Sequence, residues 1–366
     1  MITVMALRAR FRGHARRSAA AFLSSTCVLL AVTIGALGAC GGADNATPVE
    51  VVEGDGSVVV DNDAGGKPDT APPPPTGPGL GPGFKTGGPW VSFYGNASEM
   101  GDLNKVASTF HIINIDVDPT SNNFTAPQIA TLKAGGKNTI LSYMNVGSCE
   151  KGREYWDKAP GFVSCNANKA AQIGPYEGYP DEIWMDPSNE DYQELIVDYV
   201  APRLVARGID GFYLDNMEII SHEPDEDNGP CKGGCKQGGL DLIRKLRTKF
   251  PDMLIVMQNG TGDVTRLGKA SDGTEFRRLL DGIAHEEVYQ GEYDKEAESE
   301  LLAWKGMNLK SRDGKDFVIL VEDYVGDCDN DTDALDAINK SLAKGFLPYV
   351  SDESGEQRVV CYWGKP

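Results

Sequence analysis

The chain has 366 residues, with 54 acidic against 35 basic side chains and a formal net charge of −19. Setting aside the five arginines of residues 1–39 takes the remainder to about −24. That balance argues against nucleic acid and anionic membrane surfaces as partners and suits a neutral or cationic ligand.

In chain order, Arg8, Arg10, Arg12, Arg16 and Arg17 precede an apolar run over residues 19–37, which ends in Leu37-Gly38-Ala39-Cys40. Basic start, apolar middle and small residues before a cut site predict a secretory signal over 1–39. The Cys after Leu-Gly-Ala resembles the lipobox of bacterial lipoproteins. That resemblance implies lipidation of Cys40 and a place in the cell envelope, at the outer membrane or cell surface; plain secretion or a transmembrane anchor are the alternatives. Residues 40–88 are rich in Gly, Pro, Asp and Thr, with consecutive prolines at 72–75, and read as a disordered tether.

From residue 89 to 366 apolar strand-like runs alternate with helical patterns, in a length that suits one large domain. Strands are expected at 90–94, 112–115, 139–144, 211–215, 254–258, 282–285, 317–321 and 346–350. Helices are expected at 99–110, 127–134, 190–207, 240–250, 274–280, 295–309 and 332–344. Eight strands joined by crossover helices predict a (β/α)8 TIM barrel whose last helix is short or missing; a doubly wound sheet is the alternative. Residues 145–189 form the longest excursion and are expected to shape the cleft at the active face.

In such a barrel the residues just past each strand stand at the carboxyl-terminal face. Here those residues are Asp116 and Asp118; Asn145 and Glu150; Asp215, Asn216 and Glu218; Gln258 and Asn259; Glu286 and Glu287; Glu322, Asp323 and Tyr324; Asp352 and Glu353. A ring of carboxylates at one end is electrostatically costly without a metal, a cationic ligand or acid/base chemistry to serve. His111, His222 and His285 have no partner at metal-ligand spacing, and no nucleophile elbow or phosphate loop occurs. No cofactor or resident metal is therefore expected, and carboxylates remain as the chemists, one protonated and one ionised, as in glycoside hydrolysis. Aromatic residues including Tyr143, Tyr176, Tyr179 and Trp184 suit the apolar faces of sugar rings. Asp327 to Asp333 mimics a calcium loop but lacks its central Gly and closing Glu, and reads as a capped loop.

Cys27 leaves with the signal, and six cysteines remain beyond Cys40. An even number in an exported chain predicts disulfides. We pair them in sequence order: Cys149 with Cys165, Cys231 with Cys235, Cys328 with Cys361.

With these residues assembled, the domain resembles glycoside hydrolase family 114, the endo-α-1,4-polygalactosaminidase family. The resemblance rests on Ile115-Asp116-Val117-Asp118, on Tyr143-Met144-Asn145-Val146-Gly147-Ser148 with Glu150 and Arg153, and on Trp184-Met185-Asp186. It continues through Gly211-Phe212-Tyr213-Leu214-Asp215-Asn216, Gln258-Asn259, Asp281-Gly282 with Glu286-Glu287, and Asp323-Tyr324. The family implies a (β/α)8 barrel that cleaves α-linked galactosamine polymers. It implies Asp215 as nucleophile or its stabiliser and Glu286 as general acid/base, with Glu287 the alternative one residue on. Asp116, Asp118, Asn216, Asn259, Asp323 and Tyr324 are the implied sugar contacts, and Tyr143, Asn145, Glu150 and Glu287 are further substrate-binding candidates at the same face. A monomer acting on a polysaccharide, cationic where deacetylated, fits these readings. A carbohydrate-binding lipoprotein on the same barrel, and a metal-dependent deacetylase or phosphodiesterase, are the competing functions.

Overall fold

The computed structural model describes residues 77–221, 231–290, 293–328 and 332–363. The expected signal, Cys40, His222 and part of the calcium-like loop lie outside those residues. Among the described residues eleven strands run in chain order: β1 (Trp90–Phe93), β2 (Ile112–Ile115), β3 (Thr139–Asn145), β4 (Ser148–Glu150), β5 (Gln172–Tyr176), β6 (Tyr179–Met185), β7 (Gly211–Asp215), β8 (Leu254–Gln258), β9 (Gly282–Glu286), β10 (Val318–Tyr324) and β11 (Leu347–Ser351). Eight of them form one parallel sheet in the order β1-β2-β3-β7-β8-β9-β10-β11. The sheet curls until β1 meets β11, where Trp90 Nε1 donates to the Leu347 carbonyl at 2.8 Å and the Trp90 ring lies edge-on to Tyr349. This is a nearly closed (β/α)8 barrel. Its strands are apolar on both faces because each is covered by helices outside and by packed side chains inside.

The helices differ from the sequence pattern where a local residue overrides the periodicity. The run expected over 99–110 is broken at Gly101, which has φ of 83°. Asp102 caps a new helix there by accepting from Asn104 N at 2.9 Å, so two short helices stand in its place, Ala97–Met100 and Leu103–Thr109. The helix expected at 274–280 is a single 3-10 turn, Phe276–Arg278, and the crossover between β8 and β9 is made by Asp263–Leu267. Among the described residues, β11 is followed by an irregular segment rather than a helix.

Two stretches read as loop or tether have defined structure. Within the long excursion, β4, β6 and β5 form a second, antiparallel sheet in that order. Residues 77–88, assigned by composition to the tether, pack under the amino-terminal end of the barrel. Phe84 is buried, Leu80 N donates to the Arg278 carbonyl at 2.7 Å, and Gly83 N donates to Asp281 Oδ1 at 2.8 Å. Asp281 also takes the Arg247 guanidinium at 2.6 Å and Ile255 N at 3.0 Å, which ties that end of the barrel together. All three disulfides join the expected partners. Among the described residues no helix is long and apolar enough to cross a membrane.

Candidate active site

At the carboxyl ends of the strands the loops surround a cleft of about 470 Å³. Asp215 closes β7 and Glu286 closes β9, one strand apart on either side of β8, and both line this cleft while remaining 9 % and 7 % exposed. The chain turns sharply at each strand end. Asn216, Asn259 and Glu287 all take left-handed backbone, with φ of 61°, 53° and 58°. Asn tolerates that region and Glu does not favour it, so the turns carry strain at the mouth of the barrel.

Glu286 is held from several sides. Asn259 Nδ2 donates to Glu286 Oε2 at 3.1 Å while Asn259 Oδ1 accepts from Glu286 N at 3.2 Å. From β10 the Tyr324 hydroxyl donates a short hydrogen bond to Glu286 Oε1. Gln357, beyond β11, donates to the same oxygen at 3.4 Å. Asn259 therefore positions Glu286 rather than lining the cleft. Glu287, past the turn, accepts from Gln290 Nε2 at 2.9 Å.

Asp215 is positioned through its neighbours. Asn145, level with it on β3, and Asn216, next in chain, both donate to Ser148 Oγ, at 2.7 and 3.1 Å. Ser148 passes its own proton to Glu182 Oε2 at 2.7 Å. A buried network thus fastens the end of β7 to β6 of the second sheet. It also accounts for the Gly-Ser pair after β3. A Cβ at Gly147 would stand 1.9 Å from the Asn216 carbonyl oxygen, so only glycine fits. Asn145 is buried in this network and supports the site from behind.

Asp116 and Glu150 both line the cleft, but Arg153 binds them, at 2.9 and 2.7 Å. Burial opposes the Arg153 charge, and Glu150 and Asp116 more than offset it, so the cation is held firmly. Tyr143 lines the cleft, and burial with Glu150 and Asp215 nearby keeps its hydroxyl protonated. Asp118 does not line the cleft: it is buried and accepts from Thr120 N at 2.7 Å, capping the turn after β2.

β10 extends further than the pattern predicts and takes in Glu322, Asp323 and Tyr324. Side chains alternate across a strand, so Tyr324 reaches the cleft and Asp323 faces away from it. Asp323 accepts from Tyr289 N at 2.7 Å and Gln290 N at 3.1 Å, and burial pushes its carboxyl up to about 6 against those donors. It anchors the loop after β9 and does not line the cleft. Glu322 is sealed inside the barrel, where burial, with Glu286 and Asp323 adding to it, holds its carboxyl well above the usual range.

Other cleft residues were not legible in the sequence. Asp181 and Glu182 come from the second sheet, and Glu356, Gln357 and Arg358 from the segment after β11. Alternation along β6 was a usable signal for Glu182; nothing local marks Gln357. Tyr176 and Tyr179 form a surface on the hairpin of β5 and β6, with Tyr176 stacked on Trp184 at 4.1 Å.

A parallel barrel with two acidic side chains at the ends of strands that flank one cleft is the frame of a glycoside hydrolase. The chain belongs to glycoside-hydrolase family GH114, whose sequence profile matches residues 88–365. An uncharacterized protein of Methanocaldococcus jannaschii, MJ1477, is 27 % identical over 277 residues, covering 72 % of this chain and 76 % of its own. Among solved structures, the glycoside hydrolase domain of PelA from Pseudomonas aeruginosa aligns with a TM-score of 0.52 and 13 % identity, over 73 % of this chain and 96 % of that one. Ega3 of Aspergillus fumigatus, solved in complex with galactosamine, aligns with a TM-score of 0.53 and 16 % identity, over 76 % of this chain and 93 % of that one. These two likenesses establish the barrel.

Proposed function

We propose that this protein hydrolyses α-linked polysaccharide of the galactosamine type, with Asp215 and Glu286 as its two carboxyl groups. One observation carries the reading: the two close strands on either side of β8 and open into the same cleft, Glu286 held by Asn259, Tyr324 and Gln357 and Asp215 set between residues of a buried network. Glu286 protonates the leaving glycosidic oxygen, and Asp215 attacks or stabilises the electron-poor anomeric carbon. The hairpin tyrosines offer an apolar face to a sugar ring beside the reacting pair. Asp181, Glu182, Glu353 and Glu356 make the cleft acidic, which favours amino sugars carrying a positive charge. The galactosamine bound by the Aspergillus protein is consistent with that chemistry.

We place the enzyme outside the cytoplasm, tethered by a lipid on Cys40; three disulfides support the compartment. Loss of labelled fatty-acid incorporation in Cys40→Ala tests the anchor. The activity is tested by reducing ends released from α- and β-linked polymers, galactosamine polymers among them. Asp215→Asn and Glu286→Gln are each expected to lower release by about a thousandfold or more. Polymer binding with no release by any of the three proteins means a carbohydrate-binding protein instead.

A further inference from the structure

Gln357 lies in no helix or strand, beyond the last strand of the barrel, yet its side chain is only 4 % exposed. Its backbone is left-handed, with φ of 52°, a conformation that must be imposed on a glutamine. The surroundings impose it. The Gln357 carbonyl accepts from Tyr94 N at 2.7 Å, and Arg358 meets both carboxyl oxygens of Glu99 at 2.8 and 2.9 Å. Cys361 is bonded to Cys328, and Trp363 Nε1 donates to the Val350 carbonyl at 2.7 Å. The segment is pinned on both sides of one residue whose amide enters the barrel mouth.

The hydrogen bonds there have a direction. Asn114 Nδ2, a donor only, donates to Ser92 Oγ at 3.0 Å. Among the acceptors around it, which include Glu322, the Ser92 hydroxyl donates to Gln357 Oε1 at 2.5 Å. With its oxygen turned to Ser92, the Gln357 amide must present its NH2 on the other side, to the Tyr324 hydroxyl at 2.7 Å. Tyr324, accepting that bond, sends its own proton to Glu286 Oε1. The order of donors is fixed from Asn114, on the second strand, to Glu286, on the sixth barrel strand.

The geometry points to Gln357 as a positioning residue for the acid/base. By orienting Tyr324 and donating beside it, Gln357 supplies two donors to Glu286 Oε1, while Asn259 holds Oε2, and so favours the ionised form of Glu286 in the free enzyme. This rests on the reading of Glu286 as acid/base. The carboxylates facing Glu286 work in the other direction. Asp215 faces it from β7 and Glu287 follows it past the strand end; the other groups around it are Glu322 and Tyr324 from β10, Tyr213 from β7 and Tyr94 from the end of β1, all holding their protons, and His285, which precedes it on its own strand. Glu353, Glu356 and Arg358 of the Gln357 segment line the same cleft. Negative neighbours disfavour the carboxylate and donors favour it. Gln357 shifts that balance toward a pKa at which Glu286 can serve as both acid and base.

The test is the pH dependence of kcat/KM for wild type, Gln357→Leu and the uncharged, similarly shaped Gln357→Met. Both variants take the amide donor away from Tyr324 and Glu286, and the second keeps the shape that packs the segment. The alkaline limb, where Glu286 loses its catalytic proton, is expected to move up by about one pH unit in each, a tenfold change in proton affinity. A limb that stays in place in a folded Gln357→Met protein overturns the proposal, however far the rate falls. If wild type releases no reducing ends, the glycosidase reading fails by itself. The carboxyl 13C titration of Glu286, identified by difference against Glu286→Gln, then decides. A midpoint raised in Gln357→Met upholds the relay, and an unmoved one overturns it.

Discussion

Glu286 and Glu322 stand level on the adjacent strands β9 and β10, yet one carboxyl is surrounded by donors while, among the described residues, the other has only the Ser92 hydroxyl near it. Neither oxygen of Glu322 makes a well-formed hydrogen bond among the described residues; the Ser92 hydroxyl close by pulls its pKa down but points to Gln357 Oε1, and burial outweighs it. Burial first, and the charges of Glu286 and Asp323 next, keep Glu322 protonated. The barrel therefore holds a neutral acid directly beside the proposed acid/base.

That raised pKa makes stability depend on pH. In the unfolded chain Glu322 ionises near its ordinary value, whereas in the folded protein it holds its proton to higher pH. Folding therefore loses about 1.4 kcal/mol per pH unit from this group between the two values, and Glu322→Gln does not. The variant is expected to melt above wild type at pH 7 to 8, with the gap closing toward pH 4. Thermal melts across that range check it; a gap that widens on acidification contradicts the assignment.

Gly147 is the tightest backbone contact behind Asp215. Gly147→Ala places a methyl against the Asn216 carbonyl and must push the end of β7 out of place. We expect a loss of about 3 kcal/mol in stability together with a large fall in kcat, read by urea unfolding and by initial rates.

Tyr179 belongs to the hairpin surface, its ring 4.6 Å from that of Tyr176, and lines the same cleft as the two carboxyls. If it stacks on a sugar ring, Tyr179→Ala should raise KM about tenfold and change kcat little, the signature of lost uniform binding. A drop confined to kcat removes the hairpin from substrate binding.

At the opposite end of the barrel, Asp281 joins Arg247, Gly83 and Ile255. Asp281→Asn leaves the Arg247 guanidinium buried without its counter-charge, and about 3–5 kcal/mol of stability should go. Activity of the fraction that remains folded should be unchanged, since the site lies at the other end of the strands.

The amino-acid sequence determined the barrel and the place of Asp215, because both are local properties. An apolar run of strand length with a carboxylate at its end is visible in a few neighbouring residues, and it recurs along the chain. It also located Glu286, which closes its strand in the same way. Tertiary structure decided what the pattern could not carry. The reach of β10 depends on pairing with β9 and β11, and with it the separate fates of Glu322, Asp323 and Tyr324. Arg153 neutralises Asp116 across a loop, and Glu182 arrives through pairing of β4 with β6. Gln357 reaches Glu286 across a separation of 71 residues, through a pinned segment with no period of its own. Side chains brought together only by closure of the barrel leave no mark in the residues beside them, and these are the ones that hold the two carboxyls in place.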